Sequence, residues 1–258
     1  MKRIAIILAA ALTFSGCSLL SSVNWNADAL AAAAGNAMTA LSISDAQIVQ
    51  LCQESIKQMD AEAVIDNGTY ATRLKRLMKG VTTAGNLPVN FKVYRTSEIN
   101  AFACGDGSVR VYSGLMDVMT DEEVVAIVGH ELGHLTHQDT KNAMKKAYMS
   151  AAAVDAVAAV GSVGAIAAST LGDIGQSFVS AQFSQKQEYA ADQFGFEFAI
   201  KQGQSPYAMC NALEKLVKLS GSSSSSSAVA QMFASHPNSA KRAAKMRTAA
   251  DEYAASKK

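Results

Sequence analysis

The stretch TDEEVVAIVGHELGH at residues 120–134 decides the fold, because it predicts a buried helix with polar chemistry on one face. Thr120 and Glu123 have the spacing of a capping box, in which each side chain accepts a hydrogen bond from the backbone N–H of the other residue. A helix is therefore expected to begin at residue 121. The apolar run at residues 124–128 indicates that this helix is buried, and helical periodicity predicts that it continues to about Tyr148.

His130, Glu131 and His134 form the pattern HExxH within this helix. Residues four positions apart lie on the same helix face, so both imidazoles can bind one Zn²⁺ at about 2.0–2.1 Å. Glu131 is then placed to act as general base towards a water molecule that the metal activates. A chance match would bury three polar side chains without partners, which is costly. The pattern therefore predicts a zinc site in a hydrolase.

A third protein ligand is needed, and helix geometry excludes His137. At the helical rise, His137 lies about 10.5 Å along the axis from His130, too far for both to bind one ion on an unbroken helix. Glu188 and Asp192 lie four residues apart in a second predicted helix and share a face. Such acidic pairs are common on solvated surfaces, but beside HExxH they predict that Glu188 completes the zinc ligands. Asp192 is then expected to accept the free N–H of a ligand imidazole, that of His130.

The only convincing β-structure in the sequence is a small sheet. Apolar residues alternate with polar ones at residues 89–94, as expected for a half-buried strand. Two more strands, at residues 101–104 and 109–112, flank the turn signal Gly105-Asp106-Gly107. Together with the helices, these strands predict an α+β fold that is mainly α.

Helical spacing of apolar residues predicts most of the remaining structure. Two helices fit residues 44–79, with a break near Asn67-Gly68. Further helices are predicted at residues 184–202, at residues 205–219 and after His236-Pro237. The serine-rich run at residues 221–227 predicts a flexible loop.

The N-terminus is typical of a targeting segment rather than of a folded domain. Lys2 and Arg3 precede a short apolar stretch at residues 4–13, and small residues lead into Cys17. This pattern resembles a bacterial lipoprotein signal at residues 1–16, cleaved so that Cys17 carries the lipid; the alternative is a secretory signal with an incidental cysteine. Residues 17–43 are then a tether and residues 44–258 the folded domain. Ser18 after the cysteine favours the outer membrane, with the domain facing the periplasm.

The net charge and the cysteines bear on the kind of partner and on the redox compartment. A net charge of +1 gives no electrostatic footprint for nucleic acid. Cys52, Cys104 and Cys210 remain after Cys17, and a disulfide between two of them suits an oxidising compartment. Three pairings are open. We expect Cys52–Cys104, which would tie an N-terminal helix to the sheet.

Residues 149–179 are rich in Ala, Gly, Val and Ser and allow three interpretations. A transmembrane span is disfavoured, because Ala and Gly are weakly hydrophobic and each aspartate, Asp155 or Asp173, costs about 2.5–3.5 kcal/mol in a bilayer. Closely packed helices, or a mobile helical flap, are expected instead.

The HExxH helix, the ExxxD helix and the later His236-Pro237 and Arg242 resemble the M48 metallopeptidases, a gluzincin family. Residues 100–117 resemble the strand and turn that precede the zinc helix there. The resemblance covers roughly residue 44 to the C-terminus and is strongest to the periplasmic lipoprotein branch. Gln185 departs from the pattern, because many members carry arginine there; this puts contacts around the ligands in doubt, not the ligands themselves.

The resemblance implies a zincin-like domain, mainly helical, with a small β-sheet beside the HExxH helix and one Zn²⁺ per chain. An edge strand within residues 100–112 would pair with an extended substrate; the alternative is a purely structural hairpin. His236 would approach the metal, either hydrogen-bonding the developing oxyanion or occupying the open zinc position as a reversible ligand. A plain helix-entry role for His236 is equally open.

These observations predict a zinc-dependent endopeptidase, anchored by lipid, that cleaves misfolded or misassembled envelope proteins. Its partners would be unfolded clients, the membrane and the envelope assembly machinery. A chaperone with weak or latent proteolysis is the alternative, and a lipoprotein in which zinc only aids folding is a third reading. The intact Glu131 favours the enzyme, because a pure binding module does not need that carboxylate.

Overall fold

The computed structural model describes residues 43–153, 168–221, 226–237 and 239–257. Ten helices lie within these ranges: α1 Asp45–Glu62, α2 Thr69–Leu77, α3 Ser113–Val118, α4 Asp121–Thr136, α5 Asp139–Ala153, α6 Ala168–Val179, α7 Gln185–Lys201, α8 Ala208–Ser220, α9 Ser226–Ser235 and α10 Ser239–Ser256. Five short strands lie there too: β1 Thr83–Ala84, β2 Leu87–Pro88, β3 Asn90–Tyr94, β4 Ala101–Ala103 and β5 Ser108–Tyr112. The predicted fold, α+β and mainly α with a small sheet, is confirmed. The predicted signal peptide, Cys17 and nearly all of the tether lie outside the described residues.

Capping boxes begin three of the helices and satisfy backbone N–H groups that a first turn leaves free. At the start of α4, Glu123 N donates to Thr120 Oγ1 at 3.3 Å, and Thr120 N donates to Glu123 Oε2 at 2.7 Å. The predicted start of this helix is therefore confirmed. The same arrangement begins α1 and α7, at the pairs Ser44–Gln47 and Ser184–Gln187.

The three-stranded sheet has the order β3-β5-β4, with β3 parallel and β4 antiparallel to β5. Its two faces pack into different apolar clusters. Ala101 and Ala103 of β4 face a core shared with α4, α7, α8 and α10, whereas Phe102 and Cys104 face a core shared with α1, α5 and α6. Because β4 is an edge strand in contact with α4, the sheet edge lies beside the HExxH helix.

A second sheet is absent from the sequence predictions. It pairs β1 with β2 around a turn in which Gly85 has φ of 57°. Glycine suits this left-handed conformation, because it lacks the Cβ that disfavours it elsewhere. Strands of two residues carry no periodic signal, so the alternation of apolar residues does not reveal them.

The helix that carries HExxH is shorter than its periodicity predicts. Helix α4 ends at Thr136, Gln138 adopts φ of 61°, and α5 begins at Asp139. The prediction of one helix continuing to Tyr148 is therefore wrong. The turn redirects the chain so that Asp139 Oδ2 lies 3.0 Å from His134 Nδ1, although residues five apart do not share a face on a regular helix.

Glycines allow α4 and α7 to pack closely. A Cβ on Gly195 of α7 would lie 2.7 Å from Ala126 O, and a Cβ on Gly129 of α4 would lie 2.7 Å from Phe198 Cδ1. Both distances are shorter than van der Waals contact, so neither position has room for a side chain at this helix separation. The close approach places the HExxH face of α4 against the ExxxD face of α7.

The described parts of the segment 149–179 are packed helices. Helix α6 packs against α1 and α5, with Ile174 and Phe178 buried in the second core. Residues 154–167 of this segment lie outside the described part of the chain. Among the helices that the structure does describe, none combines the length and the hydropathy that a membrane crossing requires.

The loop predicted at residues 221–227 extends too far, because α9 begins at Ser226. This helix buries Val229 and Met232 in the main core. The three cysteines within the described residues are unpaired in this structure; Cys52 and Cys104 share the second core, and Cys210 lies in the main core. The Cys52–Cys104 pairing stays a prediction.

Candidate metal centre

Helix α4 presents two buried imidazoles to a single point. His130 and His134 lie four residues apart, and their Nε2 atoms are separated by 3.1 Å. Glu131 lies between them in sequence and is also buried. Its Oε1 atom has no hydrogen-bond partner among the described residues. The three residues of the HExxH pattern therefore place two nitrogen donors and one free carboxylate oxygen in the interior.

Helix α7 brings a second carboxylate to the same point. Ser184 caps this helix and Glu188 lies in its first turn, fully buried. Glu188 Oε1 lies 3.3 Å from His134 Nε2, and Glu188 Oε2 lies 3.8 Å from His130 Nε2. The structure thus brings the three predicted ligands together.

His236, which follows α9, points into the same cluster. Its Nδ1 atom lies 3.0 Å from Glu188 Oε1 and 3.3 Å from His130 Nε2. Its Nε2 atom lies 3.8 Å from Glu131 Oε1. One donor atom each from His130, His134, Glu188 and His236 lies within 4.8 Å of all the others. A plain helix-entry role does not require this convergence.

The outward nitrogen of each α4 imidazole meets a carboxylate. His130 Nδ1 lies 3.0 Å from Asp192 Oδ1, and His134 Nδ1 lies 3.0 Å from Asp139 Oδ2. An ionised carboxylate only accepts hydrogen bonds, so each Nδ1 carries the hydrogen and donates it. When both rings are neutral, their Nε2 atoms carry the lone pairs and face the same point, where one metal ion could accept both. The donor set therefore fits a metal ion held by two imidazoles and a carboxylate.

Arg242 of α10 binds both acids of α7. Its Nε and Nη2 atoms donate to the two oxygens of Asp192 at 2.7 Å and 2.6 Å, and its Nη1 atom pairs with Glu188 Oε2. Burial would raise the pKa of Asp192, but hydrogen bonds from Arg242 and His130 lower it. Burial likewise opposes ionisation of Glu188, yet His236 and His134 hold its pKa far below the usual range. Both carboxylates are therefore ionised at neutral pH.

Asp139 is the residue of this site that the sequence analysis missed. It begins α5, and its Oδ1 atom accepts a hydrogen bond from Gln187 Nε2 at 2.7 Å. Burial lowers the pKa of His134, but hydrogen bonds with Asp139 and Glu188 raise it to about 9. The prediction of an unbroken helix excluded Asp139 from the site, because residues 134 and 139 lie on different faces of a regular helix. The polar run around the turn, at residues 136–142, was the available signal.

Aromatic side chains enclose the site. The ring of Phe183 stacks on His134, with centroids 4.0 Å apart and an angle of 17° between the planes. Phe183 and Phe178, with Ala101 and Ala103 of β4, line the cavity next to Glu131. The cavity has a volume of about 10 Å³, enough for a single water molecule at most. The edge strand is thus present beside the site but is covered by the end of α6.

Two residues considered in the sequence analysis lie outside the cluster. His137 is the exposed C-cap of α4 and contacts the edge of the Phe194 ring, which agrees with its exclusion as a ligand. Gln185 is exposed and donates a hydrogen bond to Tyr189 Oη at 3.2 Å. Gln185 therefore lies outside the ligand cluster.

Comparisons with known proteins agree with this geometry. Residues 67–250 match the model of peptidase family M48. The chain is 38% identical over 251 residues to the metalloprotease LoiP of Escherichia coli (strain K12), covering 96% of each protein. It is 36% identical over 255 residues to the metalloprotease YcaL of the same organism, covering 96% of this chain and 97% of YcaL. It is also 28% identical over 206 residues to the beta-barrel assembly-enhancing protease of that organism, covering 74% of this chain and 42% of the relative.

Proposed function

This chain belongs to peptidase family M48, and from that premise we propose that it is a zinc-dependent endopeptidase of the bacterial envelope. It is a metallopeptidase, as its relatives are. The observation that carries the proposal is the convergence of His130, His134 and Glu188, from two helices, beside the unpartnered oxygen of Glu131. Two imidazoles and one carboxylate form a set that suits zinc and leaves a position for water.

Each residue of the site then has a defined task. When bound, zinc polarises the peptide carbonyl and makes water nucleophilic near neutral pH. His130 and His134 would hold the ion through Nε2, and Glu188 through its carboxylate. Glu131 Oε1 is free to take a proton from water and to deliver it to the leaving amine. Asp192, fixed by Arg242, keeps the proton of His130 on Nδ1 and so leaves Nε2 available to the metal.

His236 is proposed to act as a reversible fourth ligand. Its Nδ1 atom lies 3.0 Å from Glu188 Oε1 and 3.3 Å from His130 Nε2, distances similar to the 3.1 Å between the Nε2 atoms of His130 and His134. Withdrawal of His236 would open this position to water or to substrate. With His236 withdrawn, the same ring could donate a hydrogen bond to the developing oxyanion.

The substrate is proposed to add as a strand to the edge of β4. Cys104 N donates to Ser108 O, and Tyr112 N donates to Asn100 O, so alternate residues of this segment face β5. Ala101 and Ala103 therefore direct backbone groups away from β5, towards the cavity of Glu131. Strand addition needs an extended peptide, which favours unfolded or misassembled clients. Phe178 and Phe183 must move before such a peptide can enter.

The envelope location rests on the N-terminus and on the relatives. The lipoprotein-type signal ending at Cys17 would anchor the domain to the outer membrane, facing the periplasm. One relative is named a beta-barrel assembly-enhancing protease, which supports envelope proteins as clients and the envelope assembly machinery as a partner.

The closed cavity supports a second candidate function. A chaperone or assembly factor with latent proteolysis could hold clients while the end of α6 covers the site. The two candidates differ in their need for Glu131, because only hydrolysis requires its carboxylate.

Incubation of the purified protein with unfolded casein separates them, with Glu131→Gln as the matched variant. The endopeptidase predicts cleavage by the zinc-loaded protein and at least 100-fold slower cleavage by Glu131→Gln, which should still contain zinc. Equal cleavage by both proteins would indicate a contaminant. Client binding without cleavage by either protein would favour the chaperone.

A further inference from the structure

The two zinc-site histidines are held by carboxylates of different kinds. Asp192, the partner of His130, is clamped by two hydrogen bonds from the buried guanidinium of Arg242. Among the described residues, Asp139, the partner of His134, has no arginine or lysine within ion-pair distance. Its second oxygen instead accepts a hydrogen bond from the neutral amide of Gln187. The Asp139 carboxylate, unlike that of Asp192, is therefore held by a neutral amide rather than by a cation.

The amide of Gln187 can point in only one direction. Ser184 donates to Gln187 Oε1 twice, from its backbone N at 2.9 Å and from its hydroxyl at 2.7 Å, in the capping box of α7. Flipping the amide would set its NH₂ group against the Ser184 backbone N–H and its oxygen against the Asp139 carboxylate. Gln187 Nε2 therefore donates its hydrogen bond to Asp139 Oδ1. Asp139 Oδ2 in turn accepts from His134 Nδ1 at 3.0 Å.

We propose that Asp139, held by Gln187, is a positioning residue that fixes the His134 ring for metal binding. Residues Ser184, Gln187, Asp139 and His134 form one hydrogen-bonded chain that joins the starts of α7 and α5 to α4. This inference rests on the proposed zinc site. It explains why α4 is interrupted at Gln138, since the turn brings a buried carboxylate to the ligand ring.

The chain of hydrogen bonds makes Asp139→Asn a severe change despite its size. An asparagine has one oxygen and one NH₂ group, but the site offers two donors, His134 Nδ1–H and Gln187 Nε2–H. One donor must lose its partner or face another donor. Loss of an acceptor that orients a ligand histidine typically weakens metal binding about 10- to 100-fold.

Gln187→Glu tests the same contact without disturbing the start of α7. Glutamate at this position keeps the acceptor oxygens that the capping box needs, but it turns a carboxylate towards Asp139 in place of the NH₂ group. Gln193→Glu is the matched control. Gln193 is exposed on the same helix and donates to Glu197 Oε1 at 2.7 Å, so the substitution creates a similar carboxylate pair away from the metal.

The experiment measures zinc dissociation constants by competition with a chromogenic chelator, on the folded protein stripped of metal. Asp139→Asn and Gln187→Glu should each weaken zinc binding about 10- to 100-fold, and Gln193→Glu should stay within about twofold of wild type. The visible spectrum of the Co²⁺-loaded protein should change in the first two variants only. Thermal unfolding of the metal-free proteins should show no matching loss for them.

The outcomes are distinct. Unchanged zinc affinity and an unchanged Co²⁺ spectrum in both variants, with normal binding by wild type, would overturn the positioning role. So would a loss of affinity that the metal-free unfolding temperature fully accounts for. Failure of the wild-type protein to bind zinc would overturn the proposed function on which the inference rests.

Discussion

Gly195 of α7 lies against the backbone of His130 of α4, and a Cβ at residue 195 would come within 2.9 Å of His130 N. The absence of a side chain there sets the separation of the two helices. That separation in turn sets the distance from the imidazoles to Glu188. A helix contact that takes no part in the chemistry therefore controls how near Glu188 comes to the two imidazoles.

Gly195→Ala is therefore expected to weaken metal binding. The added methyl group would also lie 2.7 Å from Ala126 O, so α7 must move away from α4. Overpacking of this kind costs about 1–3 kcal/mol of folding stability. Zinc affinity should fall at least tenfold, measured by chelator competition. Gly172→Ala in α6 is the control, because its Cβ would meet nothing nearer than 3.9 Å, and it should leave zinc affinity unchanged.

Shortening Phe178 should increase proteolysis. Its ring packs edge-on against Phe102 of β4, with centroids 6.4 Å apart, and helps to close the cavity next to Glu131. Phe178→Leu should raise the initial rate of casein cleavage several-fold while lowering the unfolding temperature. Phe196→Leu removes a buried ring that packs on Tyr253, remote from this cavity, and should destabilise the protein without raising the rate. Slower cleavage by stably folded Phe178→Leu would argue that the ring belongs to the substrate site.

Asp60 should make folding stability depend on acid pH. It accepts hydrogen bonds from Arg110, Lys92 and Tyr94, and although burial raises its pKa, these partners lower it overall. A carboxyl pKa that is depressed in the folded state adds stability above the unfolded pKa of about 3.9, and this is lost as pH falls through the folded value.

Asp60→Asn should therefore reduce the free energy of unfolding at pH 7 by about 3 kcal/mol, because the Arg110 guanidinium stays buried without its anion. The difference from wild type should shrink as the pH falls below about 4. Urea unfolding of the metal-free proteins measures both effects. Asp45→Asn, at an exposed ion pair with Lys141, should change stability little. A difference for Asp60→Asn that is constant with pH would contradict the assignment.

Cys52 and Cys104 should form a disulfide when the protein folds in an oxidising compartment. A Cβ on Gly105 would lie 3.3 Å from Cys52 Sγ, so the Cys52 thiol reaches the residue next to Cys104. Burial and the neighbouring Cys52 thiol raise the pKa of Cys104, which favours oxidation before α1 docks on the sheet, while the thiol is still exposed. Closing a loop of about 50 residues is worth about 4 kcal/mol in the chain-entropy model.

Alkylation of the denatured protein before and after reduction tests the pairing. Cys210 should react at once, whereas Cys52 and Cys104 should react only after reduction. Cys52→Ser should free Cys104, and Cys210→Ser should change nothing at the pair. Immediate alkylation of all three residues would exclude the disulfide.

Helical periodicity was sufficient to predict that His130, His134 and Glu188 come together at one site. His130 and His134, like Glu188 and Asp192, are four residues apart, and a spacing of four defines one helix face whatever the tertiary contacts. The helix starts at Thr120 and Ser184 could also be predicted, because a capping box involves only residues three apart in the sequence.

What escaped prediction depends on contacts between distant residues. Gln138 adopts a positive φ without being glycine, and the turn there buries Asp139 against His134 and Gln187. Arg242 lies 50 residues from Asp192, and its spacing in the sequence gave no sign of the bidentate contact. Helix α9 begins within serines, which favour loops, because Val229 and Met232 bury apolar surface.

The zinc content of three purified proteins tests the central claim most directly. If the ion is bound between α4 and α7, the wild-type protein and Glu131→Gln should each hold about one zinc per chain after dialysis, because Glu131 is not a ligand. Glu188→Ala should hold almost none and should cleave no casein. A Glu188→Ala protein that is folded and still retains one tightly bound zinc would contradict the account.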